Sequence, residues 1–507
     1  MGTQQTRRAP LLGIAMSVTL CVGVPFMLTL NTAVPTWSPI PWPAVGVMVV
    51  SGARYAWLVA SSRRHLYEMV LWLFTYVFMG YAPFVQQRLG GDIDTTPRLD
   101  PRYVGAAWTL VYLGIGAALI GSSCARAVPL RERNHLPHVS PARTTFLTGF
   151  SLLLAIYYVS KVGAANLFLN RYAYAEVLKR AFPDQVMAAL VAGWASMGML
   201  VALIAQIQLV RSNRQGKLWR WQLAAAILTG LVVAVIVNPF SNPRFMVGTV
   251  LMAALASLGV YATPRRYRLV AVVALLGLVF VFPLLNVFRG SNPTTGNSNV
   301  LSAMQSGDFD AFAQIVNTLD YVDHRGSTNG RQLAGVLMFW VPRSLWPDKP
   351  VDTGILLANY KSYGFDNLSA PLWSELYINA EIAGVILGFL VVGFFTRLLD
   401  RVHELELQHH PAPAIAGCVF PFYSLLLIRG SLLQAASVFT VAAVAILIVS
   451  FRVPEPLRRL VTAPPRRTTG SAGKREASPS HSRPLTTRAA HAAPVAAAQK
   501  PLRRSHG

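Results

Sequence analysis

Acid and cysteine are what this chain lacks most. Its 507 residues carry 21 Asp and Glu against 45 Lys and Arg, and charged residues of both signs make up only 13%. That scarcity excludes a set of ordinary soluble domains, whose composition runs to about a quarter charged residues. Three cysteines are present. Cys21 and Cys418 fall in apolar runs and Cys124 beside a basic connection, so no pair faces an oxidising compartment and no disulfide framework is expected. A nucleic-acid-binding function would need the net charge of +24 gathered on a soluble basic domain. No such domain is present, and no nucleic-acid partner is expected.

What the chain has is apolar sequence, 53% of it. A bilayer core needs about 20 apolar residues as helix, and windows of that length recur at 11–31, 43–60, 69–87, 103–122, 144–161, 185–210, 219–238, 244–261, 269–286, 374–396, 411–428 and 431–451. The expected fold class is therefore an all-α polytopic integral membrane protein with about twelve transmembrane helices. Charge orients them. With Arg7 and Arg8 cytoplasmic, Arg54, Arg63 and Arg64, then Arg126, Arg131, Arg133 and Arg143, then Arg211, Arg214, Lys217 and Arg220, then Arg265, Arg266 and Arg268 all fall on the inner side. Both termini are expected to be cytoplasmic, and the basic balance reports topology. The first helix has the basic flank of a signal peptide but a long apolar run and no convincing cleavage site, so it is read as a retained anchor.

The expected organisation is nine helices over 1–286, an extracytoplasmic loop over 287–373, three helices over 374–451 and a disordered basic cytoplasmic tail over 452–507. Attraction to anionic lipid is one reading of the tail; a solvated tail is the plainer one. In the loop, Phe309, Phe312, Val316 and Leu319 recur at spacings of three or four, the pattern of an amphipathic helix on the membrane surface. The following LAGVLMFWV is apolar but too short to span, which suits a re-entrant segment ended by Pro342.

Eight basic residues are expected on the outer side against the prevailing bias: Arg171, Arg244, Arg289, Arg325, Arg331, Arg343, Lys349 and Arg429. Asn242 and Pro243 read as N-cap and first helical residue, placing Arg244 in a helix's first turn, where free N–H groups and a guanidinium make an anion site. A single juxtamembrane arginine that snorkels to lipid phosphate is the plainer reading; several at one face fit a phosphate or pyrophosphate ligand. Glu375, at the start of a helix, is either a dipole-stabilised acid or a functional carboxylate at membrane level. His324, the one histidine expected outside, lies near Asp320 and Asp323 and reads as a solvated loop residue or as a general base. One outer histidine leaves no His-rich metal site, and neither a metal nor another cofactor is expected. The DxD patterns at Asp92–Asp94 and Asp308–Asp310 are weak signals for metal binding or base catalysis.

These elements resemble the Wzy-type oligosaccharide repeat-unit polymerases, the O-antigen polymerase family. The likeness is carried by Gly330, Gln332 and Leu333; by Pro342, Arg343, Leu345, Trp346, Pro347, Lys349 and Pro350; by Ser369 and Pro371; and by Glu375, Tyr377 and Asn379. It covers roughly residues 140–430, with similar segments ending at Arg171 and around Arg244. After Asn379 the family pattern has an aromatic residue and a glycine, where this chain has Ala380 and Glu381. The resemblance implies a glycosyltransferase at the outer face of the bacterial inner (plasma) membrane, acting on polyprenyl-pyrophosphate-linked oligosaccharide as donor and acceptor, in the company of membrane lipids, a chain-length regulator and a flippase. Arg171, Arg244, Arg289, Arg343, Lys349 and Arg429 would bind pyrophosphate; Glu375 is the first candidate base and His324 the second. Three other readings stay open. One is a ligase-like transferase using the same donor, and another is an enzyme using a polyprenyl-monophosphate sugar that depends on Asp92 and Asp94. The third is a transporter or flippase.

Overall fold

The structure, a computed structural model, describes residues 9–32, 39–90, 93–130, 137–212, 216, 218–282 and 300–450, and every structural statement concerns those residues. Arg289, Asp92 and the tail from 452 lie outside them. The described chain is helical, with no strand. In order the helices are α1 (Pro10–Asn31), α2 (Trp42–Ala60), α3 (Leu66–Leu89), α4 (Pro101–Ala125), α5 (Pro141–Val162), α6 (Arg171–Ala181), α7 (Val186–Ser212) and α8 (Trp219–Ile236). They continue with α9 (Arg244–Ser257), α10 (Pro264–Leu276), α11 (Ala311–Arg325), α12 (Arg331–Leu337), α13 (Thr353–Lys361), α14 (Leu372–His409), α15 (Ile415–Arg429) and α16 (Leu432–Ser450).

Nine of these are long and apolar enough to cross a bilayer: α1 to α5, α7, α8, α14 and α16. The other three expected windows coincide with α9, α10 and α15, of 14, 13 and 15 residues. At 1.5 Å per residue α9 and α15 are shorter than a bilayer core of about 30 Å, whereas the helical path of α10 continues to Phe282, where the described residues end. α10 runs on through a wider turn at Gly277–Val281. Similar wide turns at Thr19–Gly23 and Val77–Tyr81 precede Pro25 and Pro83. A proline cannot donate to the carbonyl four residues back, and the i→i+5 pairing takes up that defect without breaking the helix.

α3 is buried from Leu66 to Gln86, with α2, α14 and α15 around it. α4 lies against α14 through small residues. A Cβ at Gly121 would stand 2.1 Å from the Leu390 carbonyl oxygen, and one at Gly393 2.0 Å from that of Ala118. Only glycine permits this backbone approach, which replaces the missing hydrophobic drive between helices in lipid with close packing.

Charge locks the end of the bundle opposite the long loop. His65 precedes α3 without capping it, and Asp400 of α14 does so instead, accepting from the Tyr67 and Glu68 N–H groups at 2.8 and 2.9 Å. Buried Glu68 accepts from Arg54 at 2.5 Å and Arg397 at 2.8 Å, and Arg64 makes a two-pronged pair with Glu404 at 2.8 Å on both sides. His65, Glu68 and Asp400 bring three potential metal donors together. Each already accepts from a guanidinium or a backbone N–H, since Arg397 also donates to His65 Nδ1 at 3.0 Å, so the arrangement is an ion-pair network.

The segment from 300 to 371 folds onto the other end of the bundle. The expected amphipathic helix exists as α11, but it does not lie on a membrane surface. Phe309, Phe312, Val316 and Leu319 are buried, and so are Gln314, Asn317, Thr318 and Asp320 on its polar side. The polar groups are consumed internally: Gln314 Nε2 donates to Thr96 Oγ1 and Asp310 Oδ2, and Asn317 Nδ2 to Gln314 Oε1. Gln86 of α3 donates to the carbonyls of Met304 and Phe309 at 2.7 and 2.9 Å, tying the segment to the bundle's most buried helix.

α14 breaks at the two residues that follow Asn379. Ala380 has φ −153°, ψ 28° and Glu381 φ 50°, ψ −140°, the latter a conformation open mainly to glycine. The break frees the Ile378 and Asn379 carbonyls, which accept from the N–H groups of Thr328 at 2.8 Å and Gly330 at 3.0 Å. Asn379 Oδ1 also accepts from the Leu333 N–H at 3.0 Å, in the first turn of α12. Two motifs some 40 residues apart in sequence are thus one hydrogen-bonded unit.

Candidate functional site

Arg244 and Arg429 come from different helices, α9 and α15, and meet the same short acidic element. Pro243, not Asn242, is the residue that precedes α9, and Arg244 is the first helical residue. Asn242 instead turns its Nδ2 back to the Ile236 carbonyl at 2.8 Å, bracing the turn that ends α8. Arg244 Nη1 donates to the Phe282 carbonyl at 3.2 Å and lies 3.3 Å from Asp308 Oδ2. Arg429 ends α15, where the helix dipole favours a cation. Its Nη2 donates to the Asp308 carbonyl at 2.9 Å and stands 3.9 Å from Asp310 Oδ1, and its guanidinium lies 4.3 Å over the Phe245 ring. Between the two acids, Phe309 is buried against Phe78 and Phe282 and fixes their spread. Asp310 Oδ2 accepts from the Ser369 N–H at 3.1 Å, whereas Oδ1 has no hydrogen bond among the described residues. Burial pushes its carboxyl above the usual aspartate value.

Two residues past Arg429, Ser431 meets Glu375. Glu375 Oε1 accepts from Ser431 Oγ and from the Leu432 N–H, both at 2.9 Å, and Oε2 accepts from Thr353 Oγ1 at 3.0 Å. The side chain is buried and near the starts of three helices: α13 at Thr353, α14 at Leu372 and α16 at Leu432. Three neutral donors fill three of a carboxylate's four acceptor positions. Asp352, which caps α13 through the Gly354 N–H at 2.9 Å, is the second acid here, next in sequence to Thr353, whose hydroxyl donates to Glu375. Burial holds Asp352 above the usual carboxylate range, opposed by the Gly354 N–H and Ser431.

No family model, curated protein or solved structure matches the chain. The case for a site therefore rests on where its residues stand.

Not all the expected residues gather there. Arg343 Nη1 donates to the Lys349 carbonyl at 2.8 Å and Nη2 to that of Pro350 at 3.4 Å. Lys349 Nζ donates to the Phe339 and Val341 carbonyls at 2.5 and 2.9 Å. Burial, then Arg343, pulls the Lys349 ammonium below its ordinary value. Both side chains hold their own turn together and point their donors at backbone. His324 is exposed and sits on Asp320, whose carboxylate also meets Tyr360 and Lys361. Lys361 ends α13 and Thr353 begins it, so His324 and Glu375 address opposite ends of that helix, about 12 Å apart along its axis. Arg171 starts α6, just after a segment whose Leu167 carbonyl accepts from Asn238 Nδ2 at 2.8 Å, near the turn that leads to Arg244. Asp94 lies beside the same surface, its N–H donating to the Gln305 carbonyl at 3.2 Å.

Asp310 and Asp352 are the residues that sequence reasoning undervalued. A three-residue DxD pattern carries little information, and only the tertiary arrangement pairs one acid with each arginine. Asp352 had a readable signal as a helix N-cap in VDTGI, but nothing local announces that this cap lies beside Glu375.

Proposed function

We propose that the chain is a membrane-embedded glycosyltransferase that polymerises polyprenyl-pyrophosphate-linked oligosaccharide repeat units at the outer face of a bacterial plasma membrane. The observation that carries the reading is the convergence of Arg244 and Arg429 on Asp308–Asp310, with Ser431, two residues past Arg429, donating to the buried carboxylate of Glu375. It supports the reading because the chemistry asks for those two functions side by side. Pyrophosphate is a good leaving group, so the protein has mainly to neutralise its developing charge and to remove a proton from a sugar hydroxyl. In the proposed step the acceptor oxygen forms its bond to the anomeric carbon as the bond to pyrophosphate breaks. The hydroxyl proton passes to Glu375, whose fourth acceptor position suits a single hydroxyl donor. Arg244 and Arg429 exchange part of their bonding to Asp308 and Asp310 for the pyrophosphate oxygens, each charged hydrogen bond contributing about 1.5–3 kcal/mol.

Purified protein in proteoliposomes, given synthetic polyprenyl-pyrophosphate repeat units, should yield a ladder of products. One addition per acceptor of another kind would replace polymerisation with ligase-like transfer, and movement of substrate across the vesicle without elongation would replace it with transport. Arg244→Ala and Glu375→Gln should each cut elongation by about 100-fold or more at unchanged protein level. Ladders of full length from either variant remove that residue from the mechanism. Replacing Asp92 and Asp94 together should be tolerated, and loss of activity there would favour a polyprenyl-monophosphate donor.

A further inference from the structure

We propose that residues 331–350 form a hairpin inserted into the bilayer, at the boundary of headgroups and acyl chains on the loop end of the bundle. The inference stands on the membrane character of the helices and not on the proposed reaction. α12 is the hairpin's first limb and packs against α14 and α16, two candidate spans. Its second limb returns at Pro350, which closes on Gly335 at 3.1 Å from where a Cβ would stand. Away from that packing the hairpin shows large apolar side chains: Leu337, Trp340 and Leu345 are 70%, 62% and 78% exposed. On α14, Leu387, Val391 and Phe395, spaced by four on one face, are exposed as well.

Exposed apolar residues alone would fit many partners; the treatment of the backbone selects lipid. Where no water is at hand, non-helical carbonyls must find donors within the protein. Here three basic side chains of the hairpin supply donors to five such carbonyls. Lys349 takes the carbonyls of Phe339 and Val341, Arg343 those of Lys349 and Pro350, and Arg331 that of Asp348 at 2.5 Å. A water-exposed turn has no need to bury an ammonium for this purpose, since water serves those carbonyls at no desolvation cost. The backbone N–H groups of Val341, Leu345, Trp346 and Lys349 are paired within the same turn. Long basic stems can lie along apolar surface while their heads reach polar groups, which suits an interfacial depth of about 5–10 Å.

The test places nitroxide labels at Leu345→Cys and Trp340→Cys, in a chain whose Cys21, Cys124 and Cys418 are replaced, reconstituted in phospholipid vesicles. Collision with molecular oxygen should exceed collision with a water-soluble nickel chelate several-fold at both positions, and the reverse should hold at exposed Asn359→Cys. Equal access of the chelate at all three positions overturns the proposal, and so does spin–spin broadening, which would give the face to a second copy of the chain. Should the labelled chains fail to insert, the unlabelled protein decides. Acyl-brominated lipids should quench a fluorescence component that Trp340→Phe removes, and identical quenching of the two proteins overturns the insertion.

Discussion

Glu404 holds Arg64 by two oxygens, and the guanidinium is all but sealed from solvent, with 5% of its side chain exposed. Arg64 also ties its Nη1 to the Ala262 carbonyl at 2.7 Å, so one residue joins α14 to the turn before α10. Removing one partner of such a pair leaves an uncompensated buried charge, at a cost of about 3–5 kcal/mol. Glu404→Ala should therefore lower the thermal midpoint in detergent severely, while replacing both residues by apolar ones of similar size should restore much of it. A double variant no more stable than the single one would show that the pair acts through more than its charge. Local sequence could show that Arg64 and Glu404 are charged residues near helix ends. It could not show that they face each other across 340 positions.

Among the elements, α14 shows most clearly how a helix serves a site by being imperfect. Its break at Ala380–Glu381 releases two carbonyls for the Thr328–Gly330 turn, and so fixes where α12 begins. Glu381 bears the strain of that break at φ 50°, since a side chain there crowds its own backbone. Glu381→Gly should raise stability by about 1 kcal/mol without changing the proposed activity, as read from thermal midpoints and product ladders. A drop in stability would mean that the exposed carboxylate has a partner outside the described residues. α11 teaches the opposite lesson about periodicity. The spacing of its apolar residues predicts a helix, and a helix is present. Its second buried face is polar and invisible to that pattern, because Gln314 and Asn317 find hydrogen bonds instead of water.

For the whole molecule, burial raises the carboxyls of Asp310 and Asp352 above their unfolded value of about 4. Just above that pH the folded protein holds more protons than the unfolded chain, so stability falls as pH rises through the raised values. The thermal midpoint in detergent should be higher on the acid side, and Asp352→Asn should flatten the slope; an unchanged slope would clear Asp352. Nine long apolar helices and the excess of basic residues were legible in sequence, because membrane helices must satisfy their own backbone and advertise it as apolar runs. Helix boundaries such as Arg244's were legible to within a residue. What the chain by itself determined is thus a bundle of apolar helices with a polar segment set between two of them. Only the tertiary structure decided that Arg244 and Arg429 share one acidic element, that Asp352 stands beside Glu375, and that Arg343 and Lys349 spend their donors on carbonyls. Charge pairing acts across space at a few ångströms, and sequence separation carries no record of it.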